Sequence, residues 1–191
     1  GEASLWSHRR HGEENEALAQ FLDEAGVDVE QFRSLAARAG AGSKDSYTAR
    51  TAQTTDDPPS AWLPVDRLNR AGGLYVDLGW PSGESGAAAA AGKADIPVVL
   101  EANFDSADAW EIAKKATHVL VRADVAESAG GAPVIVQRLR ESGVWAAVTL
   151  GHRGVYYSGG HMLPYRVAAT KPEGAGDVLR GAFTLALAEG R

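Results

Sequence analysis

The chain has 191 residues, of which 45% are hydrophobic and 23% charged, and its formal net charge is -6 at pH 7. This length and composition predict a water-soluble globular protein with one domain and a sizeable core. The negative charge and the lack of Lys/Arg runs argue against nucleic acid or an anionic membrane as a partner. The sequence contains no cysteine, which excludes disulfides and thiolate metal sites and fits a reducing, cytoplasmic compartment. No apolar run approaches the ~20 residues that span a membrane.

The first third of the chain has few regular patterns. Residues 13–25 predict a helix, because apolar residues recur on one face and Gly26 is suited to end it. His8 and His11 have the types of metal ligands, but no third ligand is evident, and we interpret them as surface residues. The glycine-rich residues 40–44 lack the Gly directly before Lys that a Walker phosphate loop requires, which favours a surface loop.

From Leu74 onward, short apolar strands alternate with helices of about ten residues. The predicted strands are 74–78, 96–101, 118–121 and 144–150, and the predicted helices are 84–94, 105–116 and 133–141. This alternation is typical of an α/β fold with a mostly parallel sheet that is covered by helices on both faces, a three-layer αβα sandwich. Around the glycine-containing residues 158–161, flanking apolar pairs predict a hairpin.

Residues 171–183 are the most informative stretch for function. Three small residues, Gly174, Ala175 and Gly176, precede Asp177, after which apolar residues recur at helical spacing. The N–H groups and the positive dipole end of a helix N-terminus hold anions, and small residues allow an anion to come close. Asp177 lies in the first turn beside such an anion, where it can accept a proton. An anion hole with a base is what phosphoryl transfer to a hydroxyl requires, although the pattern also fits an ordinary helix N-terminus.

The same stretch resembles the signature of the ribokinase-like (PfkB) sugar kinases. Their signature is Asp-Thr-Thr-Gly-Ala-Gly-Asp-x-Phe-x-Gly-Ala-Phe, and it matches residues 174–177 and 181–183 here. Lys171-Pro172-Glu173 replaces Asp-Thr-Thr, and Leu179 replaces the first Phe. The resemblance implies a kinase in which Asp177 is the general base and the three small residues before it form the anion hole.

Other motifs match this family in the expected order. Thr149, Gly151 and Gly154 match its Thr-Leu-Gly-x-x-Gly motif, and the resemblance implies that they line the nucleotide site. Asp124 and Glu127 lie where the family has Asn-x-x-Glu, which implies a share in binding Mg²⁺. Carboxylate oxygens suit this hard cation.

The resemblance extends over residues 12–190, but some of the family's motifs differ or are missing in this sequence. Glu101 and Asn103 lie where the family has Asp-x-Asn, and no role is assigned to them. The family's lid strands would lie within 41–56, and pairing through them would give a homodimer. The family's N-terminal sugar-binding motif and the helices after Gly-Ala-Phe have no counterpart. We therefore expect residues 1–191 to be a single ribokinase-like domain that is incomplete at both ends.

The resemblance implies ATP-dependent transfer of the γ-phosphoryl group to a hydroxyl of a sugar or related alcohol, with ATP and Mg²⁺ as cofactors. The sequence does not identify the sugar. A dinucleotide-dependent oxidoreductase is a weaker hypothesis, because Leu179 follows Gly174 and Gly176 where the fingerprint needs a third Gly. A catalytically degenerate relative that binds nucleotide or a protein partner is the other alternative, and the change at residues 171–173 favours it.

Overall fold

The computed structural model describes residues 3–4, 13–30, 63–77, 81–104, 107–167 and 173–191. The chain divides into two compact units, residues 1–64 and 65–191. The lid strands predicted within 41–56 lie outside the described residues, and the single-domain assignment stays a prediction. Within the described ranges, no helix combines the length and the apolar character needed to cross a membrane.

In the first unit, the described elements are strand β1 (Ala3–Ser4), helix α1 (Glu13–Glu24) and strand β2 (Val27–Asp28). β1 and β2 pair in parallel. The predicted helix is confirmed, and Gly26 follows it with a φ of 81°, a conformation that glycine adopts without strain. Ala19 and Val29 are buried together and pack against Leu22 and Val27, so α1 and β2 share a small apolar core.

The second unit contains the remaining strands and helices. The strands are β3 (Leu74–Val76), β4 (Val98–Ala102), β5 (His118–Arg122), β6 (Trp145–Thr149), β7 (Val155–Tyr157) and β8 (Gly160–Met162). The helices are α2 (Pro81–Lys93), α3 (Ala107–Ala113), α4 (Ala123–Ser128), α5 (Ala132–Glu141) and α6 (Ala175–Ala188). Short 3-10 helices occur at Val65–Arg70 and Gly151–Arg153.

The strands of the second unit form one six-stranded sheet in the order β3-β4-β5-β6-β7-β8. β3 to β6 are parallel, whereas β7 and β8 are an antiparallel hairpin that extends the sheet beside β6. The predicted α/β fold with a mostly parallel sheet and the predicted hairpin are therefore confirmed. Helix α4 was not predicted as an element, because its six residues are too few to show a clear period.

The parallel strands lie in register, and this decides which side chains share a face of the sheet. Val99 pairs with His118, and His118 pairs with Trp145. Two residues further along the strands, Glu101 pairs with Leu120. Since side chains alternate between the two faces of a strand, all five side chains lie on the same face.

Helix α6 covers this face, which we call the α6 face. Leu120 and Ala147 are buried there and pack against Phe183 and Leu187 of the helix. The rings of Trp145 and Phe183 stack with their centroids 5.3 Å apart. The aromatic contact therefore adds a specific orientation to the apolar burial that holds α6 on the sheet.

The opposite face of the sheet is more deeply buried. Val98, Leu100 and Val119 are each 0% exposed. Helices α2 and α3 contact β4, and α5 contacts β6. Full burial of such side chains stabilises the fold by ~1.5–3 kcal/mol each, so this face supplies most of the core.

A tight turn joins β6 to the hairpin. The Leu150 N–H donates to the Gly154 carbonyl at 2.7 Å, and the Gly154 N–H donates to the Gly151 carbonyl at 3.0 Å. Gly154 is buried and has a φ of 93°, which side chains with a Cβ rarely adopt. A Cβ at this position would also collide with the Met162 carbonyl oxygen. Backbone conformation and close packing therefore both require glycine here.

We expect Gly154→Ala to lower the free energy of unfolding by ~2 kcal/mol or more, because it combines left-handed strain with a backbone collision. Urea unfolding followed by circular dichroism measures the change. Gly92→Ala is the matched control, because Gly92 lies in the last turn of α2 and a Cβ there meets nothing within 4 Å. That control should raise stability by ~0.5–1 kcal/mol. Equal stability of Gly154→Ala and wild type would contradict the turn geometry.

Candidate functional site

Polar side chains gather where the parallel strands end. Asp77 follows β3, Glu101 lies near the end of β4, and Arg122 is the last residue of β5. The carboxyl ends of parallel strands lie on one edge of a sheet, which is where ligands bind in open α/β folds. A cleft of about 400 Å³ opens at this edge, lined by these three residues together with Asn103 and Asp124. Its lining therefore contains three carboxylates and one guanidinium group.

Arg122 and Asp124 form a two-point ion pair beside this cleft. Arg122 Nε and Nη2 donate to Asp124 Oδ1 and Oδ2 at 3.1 and 2.6 Å. The hydrogen bond from Arg122 is the main reason that the pKa of Asp124 lies below its usual value. Asp124 is consequently ionised at neutral pH, as a cation ligand must be.

The predicted nucleotide turn lies next to helix α4. Arg153, in the turn, has Nη2 3.6 Å from Glu127 Oε1. The Thr149 hydroxyl donates to the Val121 carbonyl at 3.3 Å, so the end of β6 is bonded to β5. Gly151 has a φ of 61°, and a Cβ there would meet nothing within 4 Å. The structure therefore joins the turn after β6, through Arg153, to one of the two predicted metal ligands, Glu127.

The two predicted Mg²⁺ ligands, Asp124 and Glu127, would need a further ligand to hold the ion. Among the described residues, no group of three or more His, Cys, Asp or Glu side chains could hold a metal ion. Asp124 and Glu127 each face an arginine, Arg122 and Arg153 respectively. Mg²⁺ is commonly bound through one or two carboxylates together with phosphate oxygens and water. The chemistry of these two carboxylates fits Mg²⁺ in that way, jointly with a bound phosphate group.

Helix α6 begins with the geometry that the sequence predicted. Gly174 precedes it in the left-handed conformation, with a φ of 79° and a ψ of -6°. No side chain in the described part of the chain caps this end of the helix. The first backbone N–H groups, at Ala175, Gly176 and Asp177, are therefore available to an anion.

Asp177 belongs to a chain of contacts that leads to the cleft. Its side chain is 82% exposed, and its Oδ1 accepts a bond of 2.8 Å from Arg180 Nη1. Arg180 Nη2 donates to Glu101 Oε1, and Glu101 Oε2 accepts a bond of 3.0 Å from the Tyr75 hydroxyl. A single side chain, Arg180, thus connects Asp177 to a residue that lines the cleft.

Sequence patterns alone did not identify Arg180, Tyr75 or a role for Glu101. The spacing of three residues between Asp177 and Arg180 is a local signal, since such pairs are neighbours on a helix. The contact between Arg180 and Glu101 joins residues 79 positions apart, and no local pattern predicts it. Whether Asp177, Thr149 and Asp124 serve one shared site stays a prediction, because these contacts leave Asp177 and the turn at Gly151 unconnected.

Burial and the neighbouring Glu101 carboxylate both change the pKa of the Tyr75 phenol. Partial burial, the charge of Glu101 and the bond to Glu101 all raise the pKa of Tyr75 above its usual value. A raised pKa in the folded state means that the contribution of Tyr75 is complete below the unfolded pKa of ~10 and is lost as the pH rises beyond it.

We therefore expect Tyr75→Phe to lower the free energy of unfolding at pH 7 by about 1 kcal/mol, since Tyr75 is still 37% exposed. The variant should also lose less stability than wild type between roughly pH 10 and 11. Chemical unfolding at a series of pH values tests both points. Tyr165→Phe is the control, because Tyr165 is 95% exposed and should change neither quantity. Parallel pH profiles for wild type and Tyr75→Phe would refute the bond to Glu101.

Comparison with known proteins places this geometry in a fold family. No protein-family model and no curated protein sequence matches the chain. A protein from Agrobacterium tumefaciens assigned as a ribokinase matches with a TM-score of 0.73 at 20% identity, covering 100% of this chain and 68% of its own. A PfkB protein from Polaromonas sp. JS666 has a TM-score of 0.73 at 16% identity, covering 98% of this chain and 73% of its own.

Arabidopsis thaliana ribokinase, solved with ribose and ATP, matches a smaller part of the chain. Its TM-score is 0.55 at 22% identity, and the match covers 66% of this chain and 46% of the plant protein. Likeness at these identities concerns the fold, and at that level the resemblance that the motifs indicated is confirmed. The chain has the fold of the ribokinase-like (PfkB) proteins.

Proposed function

We propose that the protein is an ATP-dependent kinase that transfers the γ-phosphoryl group to a hydroxyl of a sugar or related alcohol. The observation that supports this most directly is the start of α6. There an exposed carboxylate, Asp177, follows a left-handed Gly174 and backbone N–H groups that no described side chain caps. The ribokinase-like fold supports the same activity class by analogy.

In this proposal, Asp177 is the general base. The acceptor O–H bond breaks, its proton passes to the Asp177 carboxylate, and the oxygen forms the new bond to phosphorus. The bond between the γ-phosphorus and its bridging oxygen breaks, and ADP leaves. The N–H groups at Gly174, Ala175, Gly176 and Asp177 form the anion hole that stabilises charge on the transferring group.

The nucleotide side of the site is assigned to the β6–β7 turn. Thr149, Gly151 and Gly154 would line it, as the family resemblance implies, because glycine allows phosphate groups to come close to the backbone. Asp124 and Glu127 would help to hold Mg²⁺, which when bound neutralises charge on the phosphates. Arabidopsis ribokinase, which shares the fold, was solved with ribose and ATP, and this favours a sugar acceptor. The family resemblance also implies a cytoplasmic homodimer, which we include in the proposal.

A catalytically degenerate relative is the alternative. Lys171-Pro172-Glu173 replaces the Asp-Thr-Thr that precedes the anion hole in the family signature. This substitution changes the charge and the backbone freedom directly before the site. Magnesium-dependent ATP binding without turnover, measured by calorimetry and by a coupled ADP assay, would favour this alternative over the kinase.

We expect Asp177→Asn to lower kcat by ~100- to 10,000-fold, because the amide keeps the size of the side chain but cannot accept the proton. ATP binding should be retained, since backbone groups form the anion hole. The free energy of unfolding should change by less than ~1 kcal/mol, the usual contribution of a first-turn acid. Steady-state kinetics, ATP titration and chemical unfolding of the full-length protein measure the three quantities.

Asp66→Asn is the matched control for this test. Asp66 also lies in the first turn of a helix, the 3-10 helix at Val65–Arg70, which precedes the amino end of β3. It lies outside the proposed site, so kcat should stay at the wild-type value. Near-normal turnover of Asp177→Asn would remove Asp177 from the mechanism. Loss of both binding and folding in that variant would instead indicate that Asp177 serves the helix N-terminus.

A further inference from the structure

We propose that Arg180 is a positioning residue, which holds the Asp177 carboxylate in the orientation that proton transfer needs and ties it to the sheet through Glu101. This inference rests on the proposed function and adds to it a residue outside the matched positions of the family signature. Position 180 is one of the unspecified positions of that signature. The inference therefore comes from the contacts of this chain.

The side chains of Asp177 and Arg180 differ strongly in exposure. Asp177 is 82% exposed, whereas Arg180 is only 12% exposed. Asp177 Oδ1 accepts from Arg180 Nη1 at 2.8 Å. An exposed carboxylate is otherwise free to rotate, and a base must be held close to its productive geometry to be effective. Since Arg180 bonds to Oδ1, Oδ2 remains for the acceptor proton.

Glu101 anchors the other side of the Arg180 guanidinium group. Arg180 Nη2 donates to Glu101 Oε1, and the Glu101 side chain is only 21% exposed. Glu101 is in turn fixed by the Tyr75 hydroxyl, which donates to Oε2 at 3.0 Å. The planar fork of arginine presents donors to two acceptors at once, which the ammonium group of lysine does less rigidly. Arg180 therefore links helix α6 to the end of β4 with a defined geometry.

The Arg180 guanidinium group occupies the space beside Gly176. A Cβ at Gly176 would lie 3.1 Å from Arg180 Nη1 and 3.2 Å from Nη2. A side chain at position 176 would thus crowd Arg180 as well as any anion at the helix N-terminus. Because Gly176 has no side chain, it leaves open the space that the Arg180 guanidinium group occupies.

The chemistry explains why two acids share one arginine. When Asp177 accepts the proton it becomes neutral, and its attraction to Arg180 weakens. Glu101 remains charged and keeps Arg180 in place, so the base returns to the same orientation after the proton leaves. The negative charge of Glu101, as well as the shape of its side chain, thus helps to position Arg180.

The test is a double-mutant cycle on the full-length protein. Arg180→Met and Asp177→Asn are measured singly and together, with ATP and a panel of acceptors: ribose, fructose, glucose, ribitol and glycerol. We expect Arg180→Met alone to lower kcat by ~100-fold, the scale of a misplaced catalytic group, with both KM values within about twofold of wild type. In the Asp177→Asn background the same change should lower kcat by less than about twofold, because the positioned group is already absent.

Two further variants separate positioning from folding. Arg180→Lys should recover part of the lost kcat, because it keeps the charge but not the fork. Glu101→Gln should lower kcat as Arg180→Met does while its thermal unfolding stays close to wild type, since its shape is kept. Arg140→Met is the control for removing an arginine, because Arg140 is exposed in the last turn of α5 before the amino end of β6. It should have wild-type kinetics.

The outcomes distinguish this inference from the function on which it rests. If wild type phosphorylates no acceptor in the panel, the kinase proposal fails and the positioning role fails with it. If wild type is active but the two substitutions act on kcat additively, Arg180 is only structural. Wild-type kcat in Glu101→Gln would also overturn the role, because the anchoring charge would then be unnecessary.

Discussion

The parallel register of β3 to β6 is the constraint on which the candidate site depends. Because these strands run in the same direction, each following loop begins at the same edge of the sheet. Register then decides which side chains at that edge face helix α6. Glu101 lies on the α6 face beside Leu120. A slip of one residue in β4 would turn Glu101 to the opposite face and replace it with an apolar neighbour.

Helix α6 is attached to the sheet at two points of different character. Toward its C-terminal half, Phe183 stacks on Trp145 and meets the edge of His118 at 5.5 Å between ring centroids. Burial lowers the pKa of His118, which favours the neutral form of the ring in this contact. Toward the N-terminus the attachment is the largely buried pair of Arg180 and Glu101. Apolar contact holds the helix down, while the ion pair fixes its orientation.

Exposed and largely buried ion pairs in this protein differ in what they contribute to stability and to geometry. Lys114 and Glu111 form a pair at 2.7 Å, but their side chains are 50% and 64% exposed. Exposed pairs of this kind contribute little to stability. The Arg180–Glu101 pair is shielded from water, where desolvation offsets much of the attraction and the main result is a defined geometry. This argues that its role concerns the arrangement of the site more than the stability of the fold.

The sequence predicted the fold better than the contacts within the site. Alternating strands and helices leave a local pattern, and the turn at Gly174 combines small residues, an acid and a helical period within a few positions. The pair of Arg180 and Glu101 leaves no such pattern, because it depends on how a helix lies over a strand. Helix α4 was also missed, since six residues show less than two turns of periodicity.

Gly72, which precedes β3, packs closely against Ala188 in the last turn of α6, and this contact has a mechanical consequence. A Cβ at Gly72 would lie 2.9 Å from the Ala188 Cβ, so the entry to β3 presses against the last turn of the helix. The 14 residues of α6 behave as a rigid rod about 21 Å long. Added bulk at Gly72 would collide with Ala188 and push this end of the helix away from the start of β3. Because the helix is rigid, a shift of its last turn also changes the position of its first turn, where Asp177 lies.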